Sequence, residues 1–146
     1  MAALIPTKFS QLMLKVETTA GVYIHHCLIN GDRSLSETTN FTETIVPDCD
    51  DADAPGIKYY DAESQDLEFS GTGKVDLGSL DFYAEWSNSG LPKNVKAEVA
   101  ATESGGQTYT GEAIIESFEY NGTYKQLAEV TVSGRFTGTY VRTATP

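Results

Sequence analysis

Four aspartates fall within six positions of the chain, a spacing that could bind a divalent cation. Counted from Asp51, Gly56 stands at the sixth position of a calcium loop, but Pro55 and Ala62 occupy positions that normally supply ligands. Two interpretations stay open, a calcium site and a solvated acidic loop, and the spacing fits the second better. The weak metal candidates are Asp48, Asp50, Asp51 and Asp53.

A second candidate metal set combines His25 and Cys27, which share one face of a predicted strand, with Cys49. No CxxC or HxxxH spacing supports a zinc site, and partly buried strand residues explain the pair better. The start of the chain lacks the pattern of a secretion signal, so we expect both cysteines to be reduced thiols. Whether Cys27 and Cys49 pair stays open.

Catalytic motifs in the chain are incomplete. Gly71–Lys74, with the sequence GTGK, matches the end of a P-loop, but Glu68 stands where the first glycine is required. Glu112 and Glu116 could form a carboxylate pair of the glycosidase kind, yet no aromatic-lined cleft is evident around them. We therefore expect no enzymatic activity and no cofactor.

The composition restricts the classes of protein to which the chain can belong. Its 146 residues are enough for one domain, and a hydrophobic fraction of 40% argues against disorder. There are 21 acidic and 10 basic residues, giving a net charge of -11. This charge disfavours specific binding to nucleic acid or to an anionic membrane. No stretch is apolar enough to span a bilayer, so we expect no membrane insertion.

The elements that must position these residues are mostly antiparallel strands. Apolar and polar residues alternate over Leu67–Asp76 and Lys93–Ala101, as in strands with one buried face. Gln11–Glu17 and Val22–Ile29 are predicted to form a hairpin. We therefore predict an all-β fold, an antiparallel β-sandwich or half-barrel with one short flanking helix.

The helix is predicted at residues 77–87 and a long irregular loop at residues 44–65. Asp76 can cap the helix start, and Gly90 and Pro92 end it. Leu77, Leu80, Tyr83 and Ala84 form its predicted apolar stripe, and Phe82 and Trp86 could clamp it onto a sheet. Residues 48–76 contain nine acidic and two basic residues, and a polar loop of this length usually serves binding.

The last two strands are predicted to form a hairpin about an Asn121–Gly122 turn. A two-residue turn would place Ala113 opposite Val130 on an apolar face, with Tyr109, Ile115, Ala128, Val132 and Phe136. The other face is then wet and mainly acidic, although it also carries Arg135. Its predicted members are Thr108, Thr110, Glu112, Glu116, Glu129, Thr131 and Ser133. Ile114, Phe118 and Leu127 also join this polar side, where we expect them to meet a neighbouring chain.

The order of these elements resembles the major tail tube proteins of long-tailed, siphovirus-type bacteriophages and prophages. The similarity covers nearly the whole chain. An N-terminal hairpin is followed by the acidic segment Thr44–Gly56, TIVPDCDDADAPG, and by the strand LEFSGTGKVD. The aromatic helix DFYAEWSNSG and a long C-terminal hairpin complete the order.

The resemblance implies a structural virion protein with a single tail-tube domain over residues 1–146. Six copies form a ring, and rings stack into a hollow tube that conducts genomic DNA from capsid to host. The implied partners are further copies, the tape measure protein, the tail terminator and the baseplate or tail-tip proteins. DNA passes through the lumen without specific binding. The implied location is the tail of the virion, assembled in the cytoplasm of the bacterial host.

The resemblance also assigns surfaces to the chain. The polar face of the C-terminal hairpin would line the lumen, because its like charge keeps DNA from binding to the wall. The loop over residues 44–65 and the terminal arms, residues 1–11 and 137–146, would reach neighbouring rings. The loop residues expected in these contacts are Asp48, Asp50, Asp51, Asp53, Tyr59 and Tyr60.

Two other functions remain as alternatives. The first is a secreted or surface β-sandwich binding module that uses the Asp48–Asp53 cluster for calcium. The second is a related ring protein, such as a tail terminator or a subunit of a type VI secretion tube. The sequence does not give the ring symmetry, the tail length, the host, or whether the tail contracts.

Overall fold

The computed structural model describes residues 3–4, 12–26 and 28–146, which divide into two compact units. The larger unit contains the described residues up to Leu35 together with Glu68–Pro146, and the smaller unit is Ser36–Leu67. Two of the strands begin in one unit and end in the other.

The described residues form seven strands and one helix. They are β1 (Leu12–Thr19), β2 (Val22–Ile24), β3 (Arg33–Val46), β4 (Ile57–Lys74), α1 (Leu77–Ser89), β5 (Lys93–Val99), β6 (Gln107–Asn121) and β7 (Glu129–Ala144). The strands make one antiparallel sheet in the order β2-β1-β5-β6-β7-β4-β3. The prediction of an antiparallel all-β fold with one short helix is confirmed. Over the described range the sheet is not closed into a barrel, and β2 and β3 are its edges.

In the larger unit the sheet has one apolar face and one polar face, because side chains alternate along each strand. Helix α1 covers the apolar face, where the indole of Trp86 stacks on Phe69 at 6.5 Å between ring centres. The ring of Phe69 also meets Phe136 edge-on at 6.2 Å. The buried apolar residues that the strands contribute to this core include Leu14, Val16, Val95, Ala97, Ala113, Val130 and Val132.

Helix α1 spans Leu77–Ser89, so the predicted helix is confirmed and is two residues longer. The Asp76 side chain accepts a hydrogen bond from the Gly78 backbone at 3.3 Å, and Gly90 ends the helix with a φ of 68°. The predicted apolar stripe is only partly correct. Leu77 is 82% exposed, and the buried helix residues are Ser79, Tyr83 and Trp86.

The predicted two-residue turn at Asn121–Gly122 is wrong. Asn121 pairs with Glu129, so seven residues, 122–128, connect β6 to β7. The ladder is also interrupted twice, between Gly111 and Glu112 and between Ile115 and Ser117. The first interruption adds two residues, 138 and 139, to β7, and the second adds Glu116 to β6, so each shifts the register beyond it.

Because of the second bulge, the side chains of β6 beyond Glu116 lie on the opposite faces from those that unbroken alternation predicts. Before it, Ala113 pairs with Phe136 on the apolar face, as predicted for both residues. Beyond it, Phe118 pairs with Val132 on that same apolar face. The prediction that Phe118 joins the polar side is therefore wrong, because it assumed an unbroken alternation. Ile114 does lie on the polar face, opposite Arg135.

The predicted irregular loop at residues 44–65 is mostly strand. Strand β3 continues to Val46 and β4 begins at Ile57, so only residues 47–56 connect them. Within the smaller unit nearly every residue of both strands is exposed. No alternation of buried and exposed residues marks these strands, and that alternation is the signal by which strands are predicted.

The two predicted terminal arms can be compared with the structure only in part. Of the predicted N-terminal arm, residues 1–11, only Ala3 and Leu4 lie in the described part of the chain. The predicted C-terminal arm, residues 137–146, is largely the last part of β7. Its end is held by backbone hydrogen bonds of Thr145 with Gly105 at 3.0 Å and with Gly106 at 2.8 Å.

Candidate functional site

The seven residues predicted to face a lumen lie together on the polar face of the sheet. Strand pairing puts Glu112 opposite Asn94 and Thr137, and it puts Ser133 and Thr131 opposite polar residues of β4. The side chain of Glu116, within the second bulge, contacts Arg135 on this face. The shared face includes Thr108, Thr110, Glu112, Glu116, Glu129, Thr131 and Ser133.

The polar face carries ordered ion pairs in addition to acidic residues. Arg135 contacts Glu68 at 2.9 Å and also pairs with Glu116, while Lys74 pairs with Glu129. Across β1 and β5, Lys15 Nζ lies 2.9 Å from Glu98 Oε2. The pairings put seven glutamates on this face: Glu17, Glu68, Glu98, Glu112, Glu116, Glu119 and Glu129. Four bases, Lys15, Lys74, Lys96 and Arg135, offset part of this charge, and the face keeps an excess of acidic residues.

Neutral hydroxyls separate these charges on β4 and β7. Thr72 lies opposite Thr131, and Ser70 lies opposite Ser133. The Oγ atoms of Ser70 and Ser34 are 2.5 Å apart. The central part of the polar face is therefore a band of small hydroxyl groups between the ion pairs of Lys74 and Arg135.

The smaller unit is a two-stranded hairpin with an acidic connecting loop. Asp48 and Asp51 accept hydrogen bonds from the backbone N–H groups two residues later, at 2.9 and 3.1 Å. These local turns use the carboxylates that the sequence offered as metal candidates. Tyr59 and Tyr60, predicted contact residues, are both more than half exposed. In the described part of the chain, no group of three His, Cys, Asp or Glu residues is arranged to hold a metal ion.

The prediction that His25 lies in a strand is wrong, because β2 ends at Ile24; His25 and His26 follow it and make different contacts. His25 Nδ1 is 3.0 Å from the Leu14 carbonyl oxygen, and its pKa is lowered chiefly by burial. His26 stacks on Phe82 with ring centres 4.6 Å apart, and burial lowers its pKa as well. Cys27, which the sequence grouped with His25, lies outside the described residues. Cys49 is a free, exposed thiol.

The GTGK segment is part of β4, and its glycines serve close packing. The chain at residues 28–32 lies against this strand, with the Gly31 N–H donating to Thr72 O at 2.7 Å. A Cβ on Gly73 would collide with the backbone oxygen of Leu28. Residues 71 and 73 therefore require glycine so that a second segment can lie directly on the strand.

Sequence reasoning identified only part of two groups of exposed apolar residues. One is on the β3–β4 hairpin, where Phe41 was not singled out and Ile45 belongs to the end of a strand that was predicted as part of a loop. The other is at the β6–β7 connection, where Tyr124 and Leu127 are 86% and 73% exposed. The wrong turn had placed Leu127 within a strand. A search for large apolar residues in polar segments would have found both groups.

Comparison with protein families gives one match. The family model described as phage tail tube protein matches residues 6–142, nearly the whole chain. The chain therefore belongs to the phage tail tube protein family, and it is a structural tail tube protein. In the described part of the chain no helix is long and apolar enough to cross a membrane.

Solved structures with the same fold come from phage tails and related particles. The tail of an empty gene transfer agent particle, refined with C6 symmetry, matches with a TM-score of 0.70 at 18% identity, covering 95% of this chain and 100% of that one. The SPP1 tail tube matches with a TM-score of 0.61 at 14% identity, covering 95% and 80%. The tube of an extracellular contractile injection system matches at 0.60 and 15%, covering 95% and 92%. Curated protein sequences give no match.

Proposed function

We propose that this protein polymerises into stacked rings that form the hollow tube of a phage tail, with the polar sheet face lining the lumen. The observation that carries the proposal is the gathering of seven predicted lumen residues on one exposed face of a sheet. Helix α1 occupies the opposite face, so the polar face is the one free to border an aqueous channel. Six copies per ring agree with the C6 symmetry of the related gene transfer agent tail.

The edges of the sheet support assembly by strand pairing. Among the described residues, strands β2 and β3 are the two edges of the sheet and have no strand on their outer sides. Isolated proteins protect such edges, whereas a ring of copies pairs them and removes them. Ring closure would join the polar faces of neighbouring copies into one continuous wall.

The β3–β4 hairpin is proposed to contact other copies through its acidic loop and its exposed aromatic residues. Two-stranded hairpins are marginally stable alone, so one that projects polar and aromatic residues to solvent gains stability from a partner. The contact residues proposed are Asp48, Asp50, Asp51, Asp53, Tyr59 and Tyr60.

A tape measure protein would set the length of the tube during assembly. Genomic DNA would later pass through the lumen without specific binding. Relatives with this fold occur in a tube-terminating cap and in a baseplate, so a terminator and a tail-tip complex are proposed as end partners. Assembly would take place in the bacterial host cytoplasm. No step of this function requires catalysis or a cofactor.

Negative-stain electron microscopy of the purified protein over a range of concentrations tests the proposal. Tubes or rings of uniform diameter are the expected result. Particles that stay monomeric at every concentration, with the tail partners added, would contradict it. A chelator included in a parallel sample is expected to leave the tubes unchanged, whereas their loss would favour the calcium-binding alternative.

A further inference from the structure

The last two residues of β6 and the connection that follows them, here together called the β6–β7 tip (residues 120–128), expose large apolar side chains. Tyr120, Tyr124 and Leu127 are each more than half exposed. The Nζ of Lys125 lies 5.5 Å from the centre of the Tyr124 ring, and the tip contains no acidic residue. Exposed apolar groups gathered at one end of a hairpin are typical of a protein–protein contact.

The β3–β4 hairpin carries a second exposed apolar surface, here called the Phe41 face. Phe41, Glu43 and Ile45 share one side of β3 because strand residues alternate. Lys58 Nζ lies 3.4 Å from Glu43 Oε1, so Lys58 is on the same side of the hairpin as Glu43. Tyr60, two residues further along β4, is therefore on this side as well. Phe41, Ile45 and Tyr60 are 59%, 60% and 58% exposed.

Charge makes the two surfaces complementary. Residues 36–67 contain nine acidic residues and one base, giving a net charge of -8, while the tip offers Lys125 as its one charged group. An acidic strand pair attracts a lysine that already lies over an aromatic ring. Aromatic and aliphatic side chains on both surfaces can then bury one another.

We propose that the Phe41 face of one copy binds the β6–β7 tip of another copy. This inference rests on the proposed function and names the surface that receives the β3–β4 hairpin. Because the two surfaces differ, the contact is head-to-tail, and when it joins one ring to the next it leaves free tips at one end of the assembly and free hairpins at the other. Such a contact adds copies without limit, as a tube requires.

The dimensions of the hairpin suit a contact between copies. Eleven residues of β3, from 36 to 46, extend about 35 Å at the usual rise per strand residue. A compact domain of about 100 residues has a radius of gyration of roughly 13 Å. The hairpin is thus long enough to reach the end of a strand pair in an adjacent molecule.

A photo-crosslinking experiment on assembled protein tests the pairing directly. The photoreactive residue p-benzoylphenylalanine replaces Tyr124, and unlabelled protein is mixed with ¹⁵N-labelled protein before assembly. The expected product joins position 124 of one copy to a peptide from residues 41–60 of another. The same probe at Leu77, which is 82% exposed at the start of α1, serves as the matched control and is expected to give no such product. Products from position 124 to any other region would overturn the proposal.

Two variants test whether the contact drives assembly. The tip variant is Tyr124→Ser with Leu127→Ser, and the hairpin variant is Phe41→Ser with Ile45→Ser. Fluorescence of the single tryptophan, Trp86, reports whether the larger unit stays folded. Each variant alone should need at least about tenfold more protein to assemble, while Leu77→Ser should match the wild type.

A mixture of the two variants tests whether the contact is head-to-tail. The tip variant keeps an intact hairpin and the hairpin variant keeps an intact tip, so the mixture should form paired complexes that neither forms alone. A tip variant that assembles at the wild-type concentration, or a mixture that does not associate, overturns the inference. If the wild-type protein still forms tubes, either of these results rejects the contact but not the tail-tube function. Wild-type protein that forms no tubes would contradict the function itself.

Discussion

The guanidinium group of Arg135 lies 2.9 Å from Oε1 of Glu68 on the neighbouring strand β4. The same guanidinium pairs with Glu116, which lies in the bulge of β6. Arg135 therefore connects three adjacent strands across the polar face. A planar guanidinium can bridge two carboxylates in this way, whereas a lysine offers one point charge.

Replacing Arg135 by methionine should lower the free energy of unfolding by about 1 kcal/mol. The change removes two ion pairs that are partly exposed and keeps most of the aliphatic stem. Urea denaturation followed by Trp86 fluorescence measures the loss, which should shrink at high salt because the pairs are screened. Arg142→Met is the matched control, since Arg142 hydrogen-bonds the neutral Gln107 at 2.6 Å. Equal losses in both variants would contradict a specific role for the bridge.

Tyr83→Phe should leave the protein as stable as the wild type or more stable, by up to about 1 kcal/mol. The Tyr83 hydroxyl is buried without a hydrogen-bond partner among the described residues, and its burial raises the pKa of Tyr83. Removing an unpartnered buried hydroxyl removes a desolvation cost. Ser79→Ala is the contrasting variant, because Ser79 Oγ accepts a hydrogen bond from Leu28 N–H at 3.1 Å and donates one to Asp76 at 2.9 Å. It should lose about 1–2 kcal/mol. A similar loss for Tyr83→Phe would show that the hydroxyl has a partner.

Acidification should destabilise the larger unit through His26. Burial lowers the pKa of His26 in the folded state, with His25 acting in the same direction and Asp76 against it. The unfolded chain therefore binds protons first, near the usual value of about 6.5. Stability is present above that pH and declines as the pH falls toward the lower folded pKa, by at most about 1.4 kcal/mol per pH unit for each histidine.

Denaturation midpoints between pH 7.5 and 5 measure this dependence. His26→Phe keeps an aromatic ring against Phe82 and removes the titrating group, so its midpoint should fall less with pH than that of the wild type. Identical slopes in both proteins would exclude His26 as the source.

The parts of the fold that the sequence predicted are those with one buried face. The alternation in Lys93–Val99 and the capped helix after Asp76 both depend on local rules that the structure follows. The β3–β4 hairpin escaped prediction because its strands have no buried side within their own unit. Its aromatic and β-branched residues are typical of a strand, but the acidic residues beside them led to the prediction of an irregular loop.

The register of β6 and β7 could not be read from a short turn motif. Asn121–Gly122 fits a tight hairpin, yet tertiary pairing carries β6 only to Asn121 and leaves seven residues in the connection. The predicted polar face nevertheless agrees with the strand pairing of β6 before Glu116. The wrong turn alone would have moved these side chains to the other face, but the extra residue Glu116 in the second bulge moves them back. The bases from β1, β4 and β5 were missed because the sequence does not say which strands lie side by side.

The last prediction concerns the polar face as a channel wall. Glu112 and Glu119 both lie on this face and are exposed, and neither makes an ion pair among the described contacts. The double variant Glu112→Lys, Glu119→Lys should fold and assemble, because exposed substitutions usually change stability by less than about 0.5 kcal/mol. It should slow DNA ejection, because each ring then offers lysines that bind phosphate, and higher salt should restore part of the rate.

The measurement is the fraction of genome released from phage particles that carry the variant tail, scored beside adsorption. Glu112→Gln with Glu119→Gln is the matched control, which removes the same negative charge and adds no cation. Slow ejection by the lysine variant and near-normal ejection by the glutamine variant would assign the effect to phosphate binding at the wall. Normal ejection by the lysine variant in correctly assembled tails would mean that DNA does not pass along this face. If both variants fold but fail to assemble, the face is buried between protomers, because a face that borders an aqueous channel tolerates an uncharged glutamine at these two positions.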